Sequence, residues 1–191
     1  MTISTDSSDR IPPVSYRTVT LTDGPDSPTS VVGFSAVTYA LGGDDVLPVS
    51  SGTVHAYVLA GEGDDRITGF AQESVLEGQA GNDTIEGGIL SNIYGGDGDD
   101  LISWNFESWS WYSFFYEFGP YVLQTCIAGE AGNDTIRISN FDQLAYDDGL
   151  AIIDTGIDGG AGTDRLETAL ISTEIRVAVL EQGFEINGVA V

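Results

Sequence analysis

Apolar residues in this chain recur at a fixed offset from polar ones and show no helical period. Leu47, Ile67, Ile85, Ile102, Ile136 and Leu166 each follow an Asp by two positions and a Gly by four. The acids are Asp45, Asp65, Asp83, Asp100, Asp134 and Asp164, and the glycines Gly43, Gly63, Gly81, Gly98, Gly132 and Gly162. Short apolar runs bounded by such clusters read as strands separated by turns. Loose alternation over 17–21 and 31–41 predicts two further strands near the start. Residues 174–180 alternate, Gln182-Gly183 reads as a turn, and residues 184–191 alternate again. This predicts a C-terminal β-hairpin over 171–191, a cap for a sheet edge that would otherwise invite association.

The best copy of the pattern, Gly95-Gly96-Asp97-Gly98-Asp99-Asp100-Leu101-Ile102-Ser103, fits the nonapeptide G-G-x-G-x-D-x-U-x, U being a large aliphatic. Gly-Asn-Asp-Thr-Ile stands at 81–85 and again at 132–136. On these residues the chain resembles the RTX, or haemolysin-type, calcium-binding repeat family, over residues 40–170. The resemblance implies an all-β fold, a parallel β-roll or solenoid of about 18-residue coils. The roll would occupy residues 36–170, behind a flexible N-terminal segment or cap at 1–35. Asp-to-Asp steps of 20, 18, 17, 34 and 30 then place one Asp loop per coil on one edge. The two long steps mark excursions at 104–126 and 138–157. The step of 17 implies one residue missing on the far edge. That far edge is expected to carry Tyr57, Leu76 and Tyr94 at the aliphatic position, with His55, Ser74 and Asn92 in place of Asp. Calcium is therefore expected on one edge only.

Calcium takes six to eight oxygens, and short loops supply them when backbone carbonyls turn inward, which Gly permits. Asp adds an anionic donor on a short side chain. The resemblance implies ions between loops one coil apart. The step between Asp65 and Asp83 would use the carbonyls of Gly61, Gly63, Gly78 and Ala80. That between Asp83 and Asp100 would use Gln79, Gly81, Gly95 and Asp97. Asp100 and Asp134 would draw on Gly96, Gly98, Gly129 and Ala131, provided the long excursion loops out cleanly. Asp134 and Asp164 would draw on Glu130, Gly132, Gly159 and Ala161. The loop of Asp45 lacks the leading glycines, so its step to Asp65 is expected to be weak or to act as a cap.

Charge agrees with this reading. The chain holds 30 acids against 6 arginines and no lysine, a net charge of −24. Stacked Asp residues repel, and a divalent cation between each pair reverses that sign. Three to five ions are expected; five would bring the net charge to about −14. Such acidity argues against nucleic acid as a partner. Metal-binding free energy would then be folding free energy. Family resemblance further implies secretion from a Gram-negative cell through a type I secretion apparatus. The roll would stay unfolded where calcium is scarce and fold where it is millimolar.

The start of the chain has no basic stretch and no apolar core, so no cleavable signal peptide is expected, and no transmembrane segment. Residues 104–121 concentrate aromatics, among them Trp104, Trp109, Trp111, Tyr112, Phe114 and Tyr121. They read either as a satellite core or as an exposed patch for a glycan or protein partner. Catalytic signals are missing: the single His55 rules out a H-E-x-x-H zinc site, no G-x-S-x-G elbow occurs, and the lone Cys126 reads as a buried structural thiol. The expectation is a secreted calcium-binding module without chemistry of its own, acting as a structural or interaction unit. The alternatives are an adhesin or carbohydrate-binding module, or an accessory domain of a secreted hydrolase.

Overall fold

The computed structural model describes residues 17–28, 36–49, 55–69, 73–88, 91–105, 121–139, 151–168, 178–179, 185–186 and 189–190. Two eight-stranded sheets make up this part of the chain. The first contains, in spatial order, β1 (Arg17–Thr20), β2 (Ala36–Tyr39), β4 (Tyr57–Glu62), β6 (Val75–Ala80), β8 (Asn92–Asp97), β10 (Tyr121–Ala131), β12 (Ala151–Asp158) and β14 (Ala178–Val179). The second runs β3 (Val46–Pro48), β5 (Arg66–Thr68), β7 (Thr84–Gly87), β9 (Leu101–Asn105), β11 (Thr135–Ser139), β13 (Arg165–Thr168), β15 (Glu185–Ile186) and β16 (Val189–Ala190). From β2 to β15 the strands alternate between the sheets, so each full coil adds one strand to each. Every pairing is parallel except that of β15 with β16. This is the parallel β-roll that the repeat predicts.

Aliphatic side chains stack in register along the interior. Val58, Leu76, Ile93, Ile127 and Ile157 line the first sheet, and Leu47, Ile67, Ile85, Ile102, Ile136 and Leu166 the second. All belong to one buried cluster. A single coil has nothing to bury these residues against, so the core exists only between neighbours.

One count is invariant. Seven residues separate Val58 from Asp65, Leu76 from Asp83, Ile93 from Asp100, Ile127 from Asp134 and Ile157 from Asp164. All variation in coil length therefore lies on the other edge. That corrects the far-edge expectation. Leu76 does point inward, but Val58 and Ile93 take the interior positions expected for Tyr57 and Tyr94, which pair with Val75 and Glu77. Counting nine residues across an edge of variable length slips the register by one, and one residue is enough to turn a side chain to the opposite face. Ala56, Ser74 and Ser91 thus stand where His55, Ser74 and Asn92 were expected. His55 is exposed and lies 3.4 Å from Glu73.

The long excursions leave the stack undisturbed. β10 pairs with β8, and β11 with β9, across the 34-residue step. The roll reaches into both ranges read as excursions: 104–105 belong to β9, 121–126 to β10 and 151–157 to β12. Trp104 is buried in the main core, its indole N–H donating to the Gly88 carbonyl at 2.9 Å. Of the other aromatics of 104–121, those at 106–118 lie outside the described residues. Cys126 is buried in a smaller cluster with Tyr94 and Ala128. At the C-terminal end the hairpin forms between different residues from those expected. Residues 178–179 join the first sheet beside β12, residues 185–186 join the second beside β13, and only β15 and β16 are antiparallel. β14 and β15 thus extend the two sheets by one strand each. At the other end, residues 17–28, from the segment read as flexible or as a cap, are also stacked on the roll.

Removing the interior contact of one coil tests this architecture. Ile85→Ala is expected to cost about 2–5 kcal/mol. Arg66→Ala, which removes only an exposed ion pair with Glu86, should cost no more than about 1 kcal/mol. Urea denaturation in saturating calcium checks both, and equal losses would contradict the stacked interior.

Candidate metal centre

The invariant seven-residue spacing brings the six Asp residues into one column on one edge. Each is tied to the next coil by the same pair of bonds. The N–H of Asp45 donates to Asp65 Oδ1, Asp65 to Asp83, Asp83 to Asp100 and Asp100 to Asp134, each at 2.8 Å, and Asp134 to Asp164 at 3.0 Å. The residue after each Asp donates back to the previous Asp carbonyl, as Thr84 does to Asp65 at 2.8 Å. Asp100 and Asp134, 34 residues apart in sequence, are thus adjacent coils.

The second carboxylate oxygen is different. Oδ2 of Asp45, Asp65, Asp83, Asp100 and Asp134 is buried and has no hydrogen-bond partner. Leaving one buried carboxylate oxygen unsatisfied is costly; five in a column require a common explanation.

The surrounding backbone supplies it. A side chain on Gly78 would collide with both Asp83 Oδ2 and the Gly95 carbonyl oxygen. On Gly95 it would meet Asp100 Oδ2 and the Gly129 carbonyl, and on Gly129 Asp134 Oδ2 and the Gly159 carbonyl. Each bare glycine therefore leaves a notch on which a carboxylate of one coil and a carbonyl of the next converge. Ala40 and Ala60 hold this position in the first two coils. The carbonyls of Gln79, Gly81, Gly98, Glu130 and Gly132 point at the following coil, where a Cβ on Gly96, Gly98, Gly132, Gly160 or Gly162 would strike them. Gly63 points likewise at Gly81. Gly61 pairs with Gln79, and Gly96 with Glu130. The carbonyls of Ala80, Asp97, Ala131 and Ala161 each accept one N–H from the preceding coil, at 2.7–2.9 Å, and keep a second lone pair. Left-handed backbone at Gln79 and Glu130, with φ of 82° and 79°, is what aims these loops.

Each step therefore offers two carboxylates and several carbonyls, all of them oxygen. Among the described residues no three His, Cys, Asp or Glu side chains converge, so backbone oxygens must make up the donor number. A hard, high-coordination cation such as calcium fits this set.

Electrostatics point the same way. Burial is the largest influence on the column, opposed by the backbone N–H each carboxylate accepts and reinforced by neighbouring acids. It pushes Asp65 up to about 7, Asp83 to about 6, Asp100 to about 8 and Asp134 to about 6. Asp45 is raised as well, again chiefly by burial.

A second ladder escaped the sequence reading. Just before each ladder Asp stand Asp44, Asp64, Asn82, Asp99, Asn133 and Thr163. Their side-chain oxygens accept the equivalent N–H of the next coil: Asp64 donates to Asp44, Asn82 to Asp64, Asp99 to Asn82, Asn133 to Asp99 and Thr163 to Asn133, at 2.7–3.0 Å. This ladder runs forward along the chain and the Asp column runs backward, so each loop is clipped from both sides. The signal was in the sequence, as Asp or Asn at five of the six positions.

Residues 59–89 and 91–103 match the RTX calcium-binding nonapeptide repeat, a family model of four copies. The chain carries RTX calcium-binding repeats. The matched stretch contains the loops of Asp65, Asp83 and Asp100, and the geometry places those of Asp45, Asp134 and Asp164 in the same column. No curated protein and no solved structure matches the chain. Among the described residues no helix is long and apolar enough to cross a membrane.

Two outcomes are expected of the RTX column. Gly98 has φ of 133°, and a side chain there would strike the Gly81 carbonyl. Gly98→Ala should therefore cost about 1–3 kcal/mol from backbone strain alone, read by thermal or urea unfolding in calcium. The second outcome concerns pH. In chelator, Asp65, Asp83, Asp100 and Asp134 hold protons in the fold that they release on unfolding. Stability should thus be greatest below about pH 4, fall as pH rises through the folded values of about 6 to 8, and be lost above them. Circular dichroism in chelator at pH 5 and pH 8 checks the sign; a stronger β signal at pH 8 would contradict buried, unpaired carboxylates.

Proposed function

We propose that this chain is a secreted calcium-binding module whose β-roll is completed by ions held between successive Gly-x-Asp loops. The observation that carries the reading is the column of buried carboxylate oxygens without a partner. Up to five steps, from Asp45/Asp65 to Asp134/Asp164, would hold ions. The three with glycine notches at Gly78, Gly95 and Gly129 are the most open. Asp83 would serve two ions, with Gly61, Gly63, Gly78 and Ala80 on one side and Gln79, Gly81, Gly95 and Asp97 on the other. The bound cation supplies the charge that lets the carboxylates stay ionised in the interior. The chain's own residues orient the oxygens and exclude water. A net charge of −24 supports a chain that expands without the ions and compacts with them. Extracellular calcium modules bind at about 10⁻⁴–10⁻³ M, so the roll would fold outside the cell, after export by a type I apparatus. Its role there is structural, as a rigid spacer or interaction surface.

A calcium titration from chelator, followed by circular dichroism with magnesium as control, tests the proposal. A cooperative gain of β signal near millimolar calcium is expected, with none in magnesium. A full β spectrum already present in chelator at neutral pH would refute the metal-completed fold. Asp83→Asn should remove or weaken two ions at once, whereas His55→Ala, on the far edge, should leave calorimetric calcium binding unchanged. Equal effects would refute a one-edge column.

A further inference from the structure

One loop of the stack lies outside the six Asp repeats. Gly24 and Asp26 stand two apart, as Gly43 and Asp45 do, and Asp26 precedes Asp45 by 19 residues. The fold treats this segment as one more loop of the same edge. β1 pairs in parallel with β2. The Asp26 N–H donates to Asp45 Oδ1 at 2.6 Å, and the Val46 N–H donates to the Asp26 carbonyl at 2.9 Å. These are the two bonds that join every later step. A side chain on Gly43 would strike the backbone of Gly24 and Pro25, just as one on Gly98 would strike Gly81.

Its carboxylate behaves differently. Oδ2 of the next five column acids is buried and unpartnered. Oδ2 of Asp26 accepts the Thr22 N–H at 2.8 Å and the Thr22 hydroxyl at 2.9 Å. The same hydroxyl lies 3.0 Å from the Gly24 carbonyl oxygen. The carboxylate and the carbonyl two residues before it, which in later loops face the next coil, are here both tied to one hydroxyl of their own loop. Thr22 is exposed and Asp26 only half-buried, so water still solvates this charge and burial does not demand a counter-ion.

We propose that residues 17–28 form a further, N-terminal level of the stack that needs no calcium, with the Thr22 hydroxyl closing its loop in place of an ion. This level seals the N-terminal end of the calcium column and gives the loop of Asp45 a bonded neighbour that needs no ion of its own. The inference rests on the calcium reading of the later steps.

Ion counting on the full chain by calorimetry, with Asp26→Asn and Asp83→Asn beside the unsubstituted protein, tests it. Asp26→Asn should bind as many calcium ions as the unsubstituted chain, and Asp83→Asn fewer. A loss of one ion in Asp26→Asn alongside a loss in Asp83→Asn would overturn the metal-free level and leave the column reading intact. A full complement in Asp83→Asn would overturn the column reading and the inference with it. Thr22→Val keeps the side-chain volume and covers the case in which Asp26→Asn does not fold. In calcium it should speed hydrogen exchange at the Asp26 and Val46 amides about tenfold, the loss expected for a hydrogen bond to a charged group, with Leu101 unchanged. Unchanged exchange at both amides would overturn the role of Thr22.

Discussion

Everything in this molecule is arranged around a column of like charges out of water. Strands one coil apart lie about 4.8 Å apart, and two carboxylates at that separation repel by roughly 3 kcal/mol at an effective dielectric near 20. Burial adds a desolvation cost at every level. The fold meets half of the demand with its own backbone, since one oxygen of each column acid accepts an N–H from the preceding coil. The other half stays open at Asp45, Asp65, Asp83, Asp100 and Asp134. The same atom left unsatisfied five times, with glycine notches and carbonyls aimed beside it, supports the proposed hard cation as its ligand.

The rest of the roll keeps that column straight. Hydrophobic stacking alone would tolerate coils of many lengths, but a column of ion-binding loops would not. Between the inward residue of the first sheet and the column Asp the count is always seven, while the far edge absorbs every insertion, including those that follow Asn105 and Ser139. The outer ladder of Asp44, Asp64, Asn82, Asp99 and Asn133 holds the same loops from the opposite direction. Two asparagines in that ladder keep its later carboxylates from facing one another directly, which the inner column cannot avoid. Its ends are treated differently from its middle: Thr22 satisfies the first carboxylate of the edge locally, and an antiparallel strand covers the last strand of the second sheet.

Much of this was legible in the sequence because each coil repeats the same local demand. A turn that needs left-handed backbone selects Gly, a short anionic donor selects Asp, and an anchor selects an aliphatic two residues on. The recurrence of those three carried the resemblance that implied the roll, and within it the spacing marked the strand positions of the second sheet and the edge that carries the acids. The position before each Asp was equally visible and went unread, because an exposed Asp or Asn looks like ordinary surface until its partner one coil away is known.

What the sequence determined by itself is the repeating unit: residue types at fixed local offsets, whose conformational and chemical requirements are met within a few residues. What only the tertiary structure decided is how the units meet. The inward positions of the first sheet, Val58 and Ile93 in place of Tyr57 and Tyr94, depend on the length of an edge that carries no motif. The adjacency of Asp100 and Asp134 depends on strands that close over a long excursion. The N-terminal level at Thr22–Asp26 and the strands at 178–179 and 185–186 lack enough of the motif to be recognised, and it is their pairing with neighbouring coils that makes them part of the roll. Stacking is a relation between segments far apart in the chain, and that distance is set by residues on which the motif places no constraint.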